Sequence, residues 1–172
     1  MDQTEAFLAM TLPRLHHAET ALHNGDARPR MAMWSHGHSV TLFGAALGGR
    51  GWAEIEKIFH RLGASFSDCQ SFENELLAAG ASDDLAYTVA YEHTTASVGG
   101  EPPASYVLRV TTVFHREDSE WKVVHRHELG PGPARGLDAG VRGRLRAPLR
   151  SPRRPDRGHP GLRRRDCVKI GP

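Results

Sequence analysis

At 172 residues the chain is long enough to bury a substantial core in one domain, with residues to spare. It contains no run of about 18 apolar residues, which excludes a helical membrane span, and no basic stretch leading into an apolar block, which argues against an export signal. The net charge of +2 conceals a split: residues 1–129 carry 10 Lys and Arg against 17 Asp and Glu, whereas residues 130–172 carry 12 against 3.

Residues 130–172 also hold 7 of the 11 prolines, 8 glycines and no aromatic residue. A segment of this kind cannot bury enough apolar surface to offset the entropy of ordering it. One folded domain is therefore expected over 1–129, followed by a disordered basic Pro/Gly/Arg-rich tail over 130–172. Arginine-rich tails can bind nucleic acid through phosphate charge alone. The abrupt change from a well-patterned strand to this composition instead favours a frameshift or readthrough product, and nucleic acid is not the expected partner. The two cysteines, Cys69 and Cys167, fall in segments of opposite character and suggest no disulfide, so a cytoplasmic location is expected.

In chain order, Asp2 to His23 reads as helical, with Phe7, Leu8, Leu15, Ala18 and Leu22 as the apolar stripe and Pro13 as an expected break. Asn24-Gly25 is a helix stop. Asp26 is positioned to cap a short second helix over 27–34, with Pro29 in its first turn. A short strand over 40–43 leads into a glycine-rich turn with neither the spacing nor the lysine of a phosphate loop. Trp52 to Leu62 is the clearest amphipathic helix, with Trp52, Ile55, Ile58, Phe59 and Leu62 on one face. Residues 69–79 suggest a strand. Residues 85–97 alternate cleanly, Leu85, Tyr87, Val89, Tyr91 and His93 against Ala86, Thr88, Ala90 and Glu92.

The last stretch, 104–129, reads as a hairpin turning at Glu117-Asp118. Apolar matching opposes Phe114 to Trp121, Thr112 to Val123, Val110 to His125 and Leu108 to His127. That register gathers Tyr106, Leu108, Val110, Phe114, Trp121, Val123 and Leu129 on one face and sends Arg109, Lys122, Arg126 and Glu128 to the other. Helices, a short strand, a helix and then long consecutive strands make an α+β fold, a curved antiparallel sheet with helices packed across its concave face.

GDARPRMAMWSHGHSVTLFG with the Trp52 helix, and DDLAYTVAYE with LRVTTVFHREDSEWKVVHRH, resemble the front and back halves of the nuclear transport factor 2-like superfamily. The nearest branch is the SnoaL-like, ketosteroid isomerase-like domains. The segment FHREDSEWKVVHRH also resembles the association domain of calcium/calmodulin-dependent kinase II. The resemblance covers roughly residues 5–129. It implies a cone-shaped half-barrel with one hydrophobic pocket between sheet and helices, a small hydrophobic molecule as ligand, no cofactor and a homodimer. Leu42 stands where ketosteroid isomerases place a carboxylate base, and His36-Gly37-His38 where many relatives carry an acid pair.

Histidines are thus the candidate acids and bases, since their unperturbed pKa near 6.5 suits proton transfer at neutral pH. In the hairpin register above, His125 and His127 enter the apolar face and are the candidate catalytic residues; the alternative is that one or both are core or interface histidines, hydrogen-bonded to backbone or a tyrosine. Trp34, His36, Trp52, Tyr87, Tyr91, Leu108 and Val110 are the candidate substrate-binding residues. His36, His38, His125 and His127 together could hold a metal, but spacing alone supports it weakly, and none is expected. Two functions remain open: a cofactor-free isomerase, cyclase or hydratase using a pocket histidine, or a non-catalytic ligand-binding or dimerisation module.

Overall fold

The computed structural model describes residues 2–130; the disorder and nucleic-acid readings of the basic tail lie outside the described residues. Helix α1 (Gln3–Leu22) and the short α2 (Arg28–Ala32) come first. They are followed by β1 (Thr41–Phe43), β2 (Gly48–Arg50), α3 (Trp52–Ser65) and four long strands: β3 (Phe66–Ser82), β4 (Leu85–Val98), β5 (Ala104–Glu117) and β6 (Glu120–Leu129). All six strands form one sheet in the order β2-β1-β6-β5-β4-β3, antiparallel except for the β1–β6 pair. The α+β class is as expected, and the sheet is curved and unclosed. Irregularities in the β3–β4 ladder, between Ser67 and Ser71 and between Leu76 and Ala78, are of the kind that add local bend and twist.

Asp2 caps α1 and exchanges a reciprocal pair of hydrogen bonds with Glu5. The helix does not break at Pro13 as its sequence suggests. Pro13 lies on the exposed side, while Phe7, Thr11, Leu15, Ala18 and Leu22 form an unbroken buried stripe. Burying that stripe offsets an interior proline, a cost of roughly 3 kcal/mol. Phe7 meets Phe114 and Trp121 edge-on, with ring centroids 5.1 and 5.2 Å apart, which ties α1 to the β5–β6 hairpin. Trp34 packs edge-on against Phe59 of α3 at 5.3 Å. On the convex side Gly80 sits opposite Tyr87, whose ring would lie 2.7 Å from any Cβ at that position.

The hairpin register differs from the apolar matching, with consequences for every site residue near it. The turn residues are Asp118 and Ser119, with φ of 47° and 69°, the left-handed pair of a two-residue type I′ turn. Phe114 therefore faces Val123 rather than Trp121. This shift of two keeps Trp121 and Val123 on the core side. A bulge at Val124 then adds one residue to β6, so that Val113 pairs with His125, Thr112 with Arg126, Thr111 with His127 and Val110 with Glu128. One extra residue inverts everything beyond it. Arg126 and Glu128 turn inward, and His125, His127 and Leu129 turn outward.

Candidate functional site

The inverted end of β6 floors a cavity of about 330 Å³ between the sheet and the helices. Its walls are apolar. Leu22 of α1, Leu42 of β1, Ile58, Phe59 and Leu62 of α3 and Leu108 of β5 supply most of them, and residues 44–47 form part of the rim. Ionisable groups occupy the floor. Arg126, 2% exposed, sends two guanidinium nitrogens to Glu92 on β4, donating at 3.0 and 2.5 Å. Its Nε donates to Glu128 at 2.5 Å, and Nη1 reaches Thr112 Oγ1 at 3.4 Å. Arg30 of α2 donates to Glu19 of α1 and, at 3.2 Å, to Glu128, with its guanidinium 5.3 Å above the Phe59 ring. Two cations thus hold three carboxylates together, every charged group with a partner, as burial demands.

With one more carboxylate than guanidinium in an apolar setting, the cluster favours keeping a proton. Burial pushes the Glu92 carboxyl above its ordinary value, and the neighbouring Glu19 reinforces the rise against the opposing pull of Arg126. For Glu128 burial acts the same way, but Arg126 and Arg30 outweigh it and hold the group below the usual carboxylate range.

Beside the cluster stands a second polar pair. His23, one turn beyond Glu19, has Nδ1 2.7 Å from the Glu19 carbonyl oxygen. A carbonyl can only accept, so Nδ1 carries the ring proton and Nε2 is left as an acceptor. Tyr106 of β5 donates its hydroxyl to Nε2 at 2.6 Å. Burial depresses the His23 pKa, Arg30 and Arg126 contribute in the same direction, and Glu19 opposes them. Burial likewise raises the Tyr106 phenol far above its ordinary value, so the pair is neutral at pH 7.

The depressed histidine makes stability depend on pH with a definite sign. The unfolded chain binds a proton at this ring near pH 6.5 and the folded chain only at lower pH. The contribution is therefore fully present above pH 6.5 and is lost as pH falls toward the folded value. Glu92 acts in the opposite sense: its raised pKa favours the fold below about pH 4.5 and less so above it. Urea unfolding between pH 7 and 5 should show wild-type stability falling more steeply than that of His23→Gln. Parallel slopes in the two proteins would contradict this account of His23.

The sequence of residues 15–128 matches the family model described as SnoaL-like domain. The chain belongs to the SnoaL-like domain family. No curated protein sequence matches this SnoaL-like chain. Solved structures share its fold at low identity. A protein from Streptomyces avermitilis, named as a dehydratase of the NTF2-like family, is 17% identical, with 76% of this chain and 99% of that one covered and a TM-score of 0.60. A ketosteroid isomerase-like protein from Erwinia carotovora atroseptica is 14% identical, with 73% and 97% covered and a TM-score of 0.59. A protein from Thiobacillus denitrificans, named for the calcium/calmodulin-dependent kinase II association domain, is 16% identical, with 74% and 94% covered and a TM-score of 0.53.

Of the nine candidate catalytic and substrate-binding residues, Leu108 alone lines this SnoaL-like pocket. Val110, beside it on the inward face, is buried next to the floor. His125 stands on the convex side, where its Nδ1 hydrogen-bonds with Thr41 Oγ1 at 2.7 Å and burial lowers its pKa. His127 is exposed there, 6.0 Å from the Phe43 ring. The bulge put both there. Tyr87 and Tyr91 also face outward, Tyr87 44% exposed, because the small residues Ala86, Thr88 and Ala90 take the inward positions of β4. Trp34 is sealed in the core, and His36 and Trp52 stack on each other, ring centroids 3.8 Å apart, outside the pocket lining. The groups that do line it (Glu19, His23, Arg30, Glu92, Tyr106, Arg126 and Glu128) were not selected from the sequence as site residues. Three of them had a readable signal, Glu92 as the lone glutamate on the small-residue face of β4. Glu19 and His23 sit in register with the Leu15, Ala18, Leu22 stripe, where a solvated side chain has no place.

Proposed function

We propose that this SnoaL-like domain binds a small, largely apolar molecule with one carbonyl or hydroxyl group, and transfers a proton on it using His23 and Tyr106. The observation that carries the reading is a 330 Å³ apolar cavity whose polar end presents a neutral histidine–tyrosine pair. A ligand carbonyl entering the pocket competes for the Tyr106 proton. When the hydroxyl turns to it, Nε2 of His23 is left with a free lone pair able to take a proton from the adjacent carbon. The electron pair moves onto oxygen, where Tyr106 donates to it; in a β,γ-unsaturated ketone the double bond extends the enolate, and return of the proton to the γ-carbon, with the double bond shifted into conjugation, completes an isomerisation. Leu42 at the base position of ketosteroid isomerases is no obstacle, because the base is His23, the residue that caps the C-terminus of α1.

One observation favours a second reading, a ligand-binding module without chemistry. Every charged group on the pocket floor is already satisfied by another, and such a floor can serve structure alone.

Both readings require occupancy of the cavity. Binding of a small apolar ketone, followed by NMR shift perturbation, is expected to affect residues of α3 and β5. Ala46 is an exposed rim residue, so Ala46→Trp should obstruct the mouth and weaken binding at least about tenfold while leaving the fold intact. Unchanged affinity in that variant would place the ligand elsewhere.

A further inference from the structure

A second constellation lies at the far end of the hairpin, on the face of β5 opposite the pocket. His115 and Glu117, two apart on β5, project toward His38 in the loop before β1. One ligand atom from each of the three lies within 4.8 Å of the others. The His38 and His115 rings are 4.3 Å apart, and His38 Nε2 is 3.8 Å from Glu117 Oε1, beyond hydrogen-bond reach. Two atoms there are buried without a hydrogen-bond partner: Nδ1 of His115 and Oε1 of Glu117. Orphaned polar atoms are uncommon in folded proteins, and an imidazole nitrogen and a carboxylate oxygen converging with a second imidazole make a donor set that suits a metal cation.

We propose that His38, His115 and Glu117 bind a first-row divalent cation of the zinc type, with His115 coordinating through Nδ1. Two imidazoles and one carboxylate form a recurring three-ligand set that leaves a fourth position for water. The other nitrogen of His115, Nε2, lies 3.7 Å from Asp84 Oδ2. That is too long for a hydrogen bond, but Asp84 is the carboxylate on the side from which such a group commonly orients a metal-bound histidine, and a small side-chain rotation would close the gap. Neither element is loose. Ser35, fully buried, accepts from the backbone N–H groups of Gly37 and His38 at 3.2 and 3.0 Å, which shapes the loop that carries His38. The Asp84 carbonyl accepts from Arg116 N at 2.8 Å, pinning the β3–β4 turn to β5. Tetrahedral coordination brings ligand atoms to about 3.3 Å from one another. The small contraction this requires falls on His38, the exposed member of the set. Bound metal would clip the 35–40 loop to β5, independently of any ligand in the pocket.

The full-length protein titrated with Co²⁺, with visible absorption as readout, tests the assignment. One equivalent is expected to give the intense bands of tetrahedral cobalt, and Zn²⁺ should displace it stoichiometrically. His38→Ala, on an exposed loop and so harmless to folding, and His115→Ala should each abolish the band. Asp84→Asn should weaken binding about 10- to 100-fold without abolishing it. His36→Ala and His125→Ala should leave it unchanged. A band absent from the wild-type protein, or one that survives either His38→Ala or His115→Ala in protein with native circular dichroism, overturns the proposal.

Discussion

Substituting Arg126 with methionine is expected to cost about 3–5 kcal/mol of folding stability, the range found when one partner of a buried ion pair is removed. Arg126 is the hub of the cluster: it bonds Glu92 through two nitrogens and Glu128 through a third, and approaches Glu19 at 3.7 Å. Methionine fills similar volume and leaves no large void, so the cost comes from charge. Three carboxylates would then share Arg30 alone in an apolar setting, and at least one must take up a proton or draw in water. Against a typical stability of about 5–15 kcal/mol for a domain, such a loss removes about a fifth or more. The double variant Arg126→Met, Glu92→Leu should be less damaged than the single one, because it removes a paired unit rather than half of one. Urea unfolding of both at pH 7 provides the check. A single-variant cost below about 1 kcal/mol, or strictly additive costs, would mean that water already screens the cluster.

The same cluster explains why the fold was legible in the sequence and the site was not. Strand alternation, the Trp52 helix and the order of elements all express apolar burial, whose period can be read from a single chain. The pocket chemistry rests on β6, where apolar matching paired His125 with Val110 and sent Arg126 outward. The native bulge at Val124 does the reverse, because Arg126 has Glu92 and Glu19 waiting on other elements and His125 has Thr41 outside. Partners distant in sequence set the register, and a hydrophobic pattern carries no record of them. Strand β4 makes a related point. Its alternation separates two faces without saying which is buried, and a sheet pressed against helices takes the small side chains of Ala86, Thr88 and Ala90 inward and leaves Tyr87, a candidate pocket residue by sequence, to cover Gly80. A lone glutamate among those small residues, Glu92, pointed to the pocket all along.

Proton transfer, if it is this pocket's activity, should depend on His23 by a factor of about 10²–10⁴, the usual worth of a positioned general base. The experiment follows exchange of the α-hydrogens of a bound apolar ketone with deuterium from solvent, by NMR, which requires no knowledge of the natural product. Wild-type protein should accelerate the exchange, with a rate that falls as pH drops through the depressed His23 pKa and Nε2 becomes protonated. His23→Gln keeps a hydrogen-bonding side chain of similar reach but cannot accept the proton, so exchange should fall to near the uncatalysed rate while ketone affinity changes little. Tyr106→Phe should lower the rate through loss of one donor to the developing oxyanion, a penalty of about 10²–10³-fold where such donors have been removed. It should also free Nε2 of His23 from its hydroxyl partner and so shift the pH profile, a response that a merely structural tyrosine would not produce. Ketone binding without accelerated exchange in the wild-type protein would leave the pocket as a binding site whose histidine, like its arginines, serves only to satisfy its neighbours.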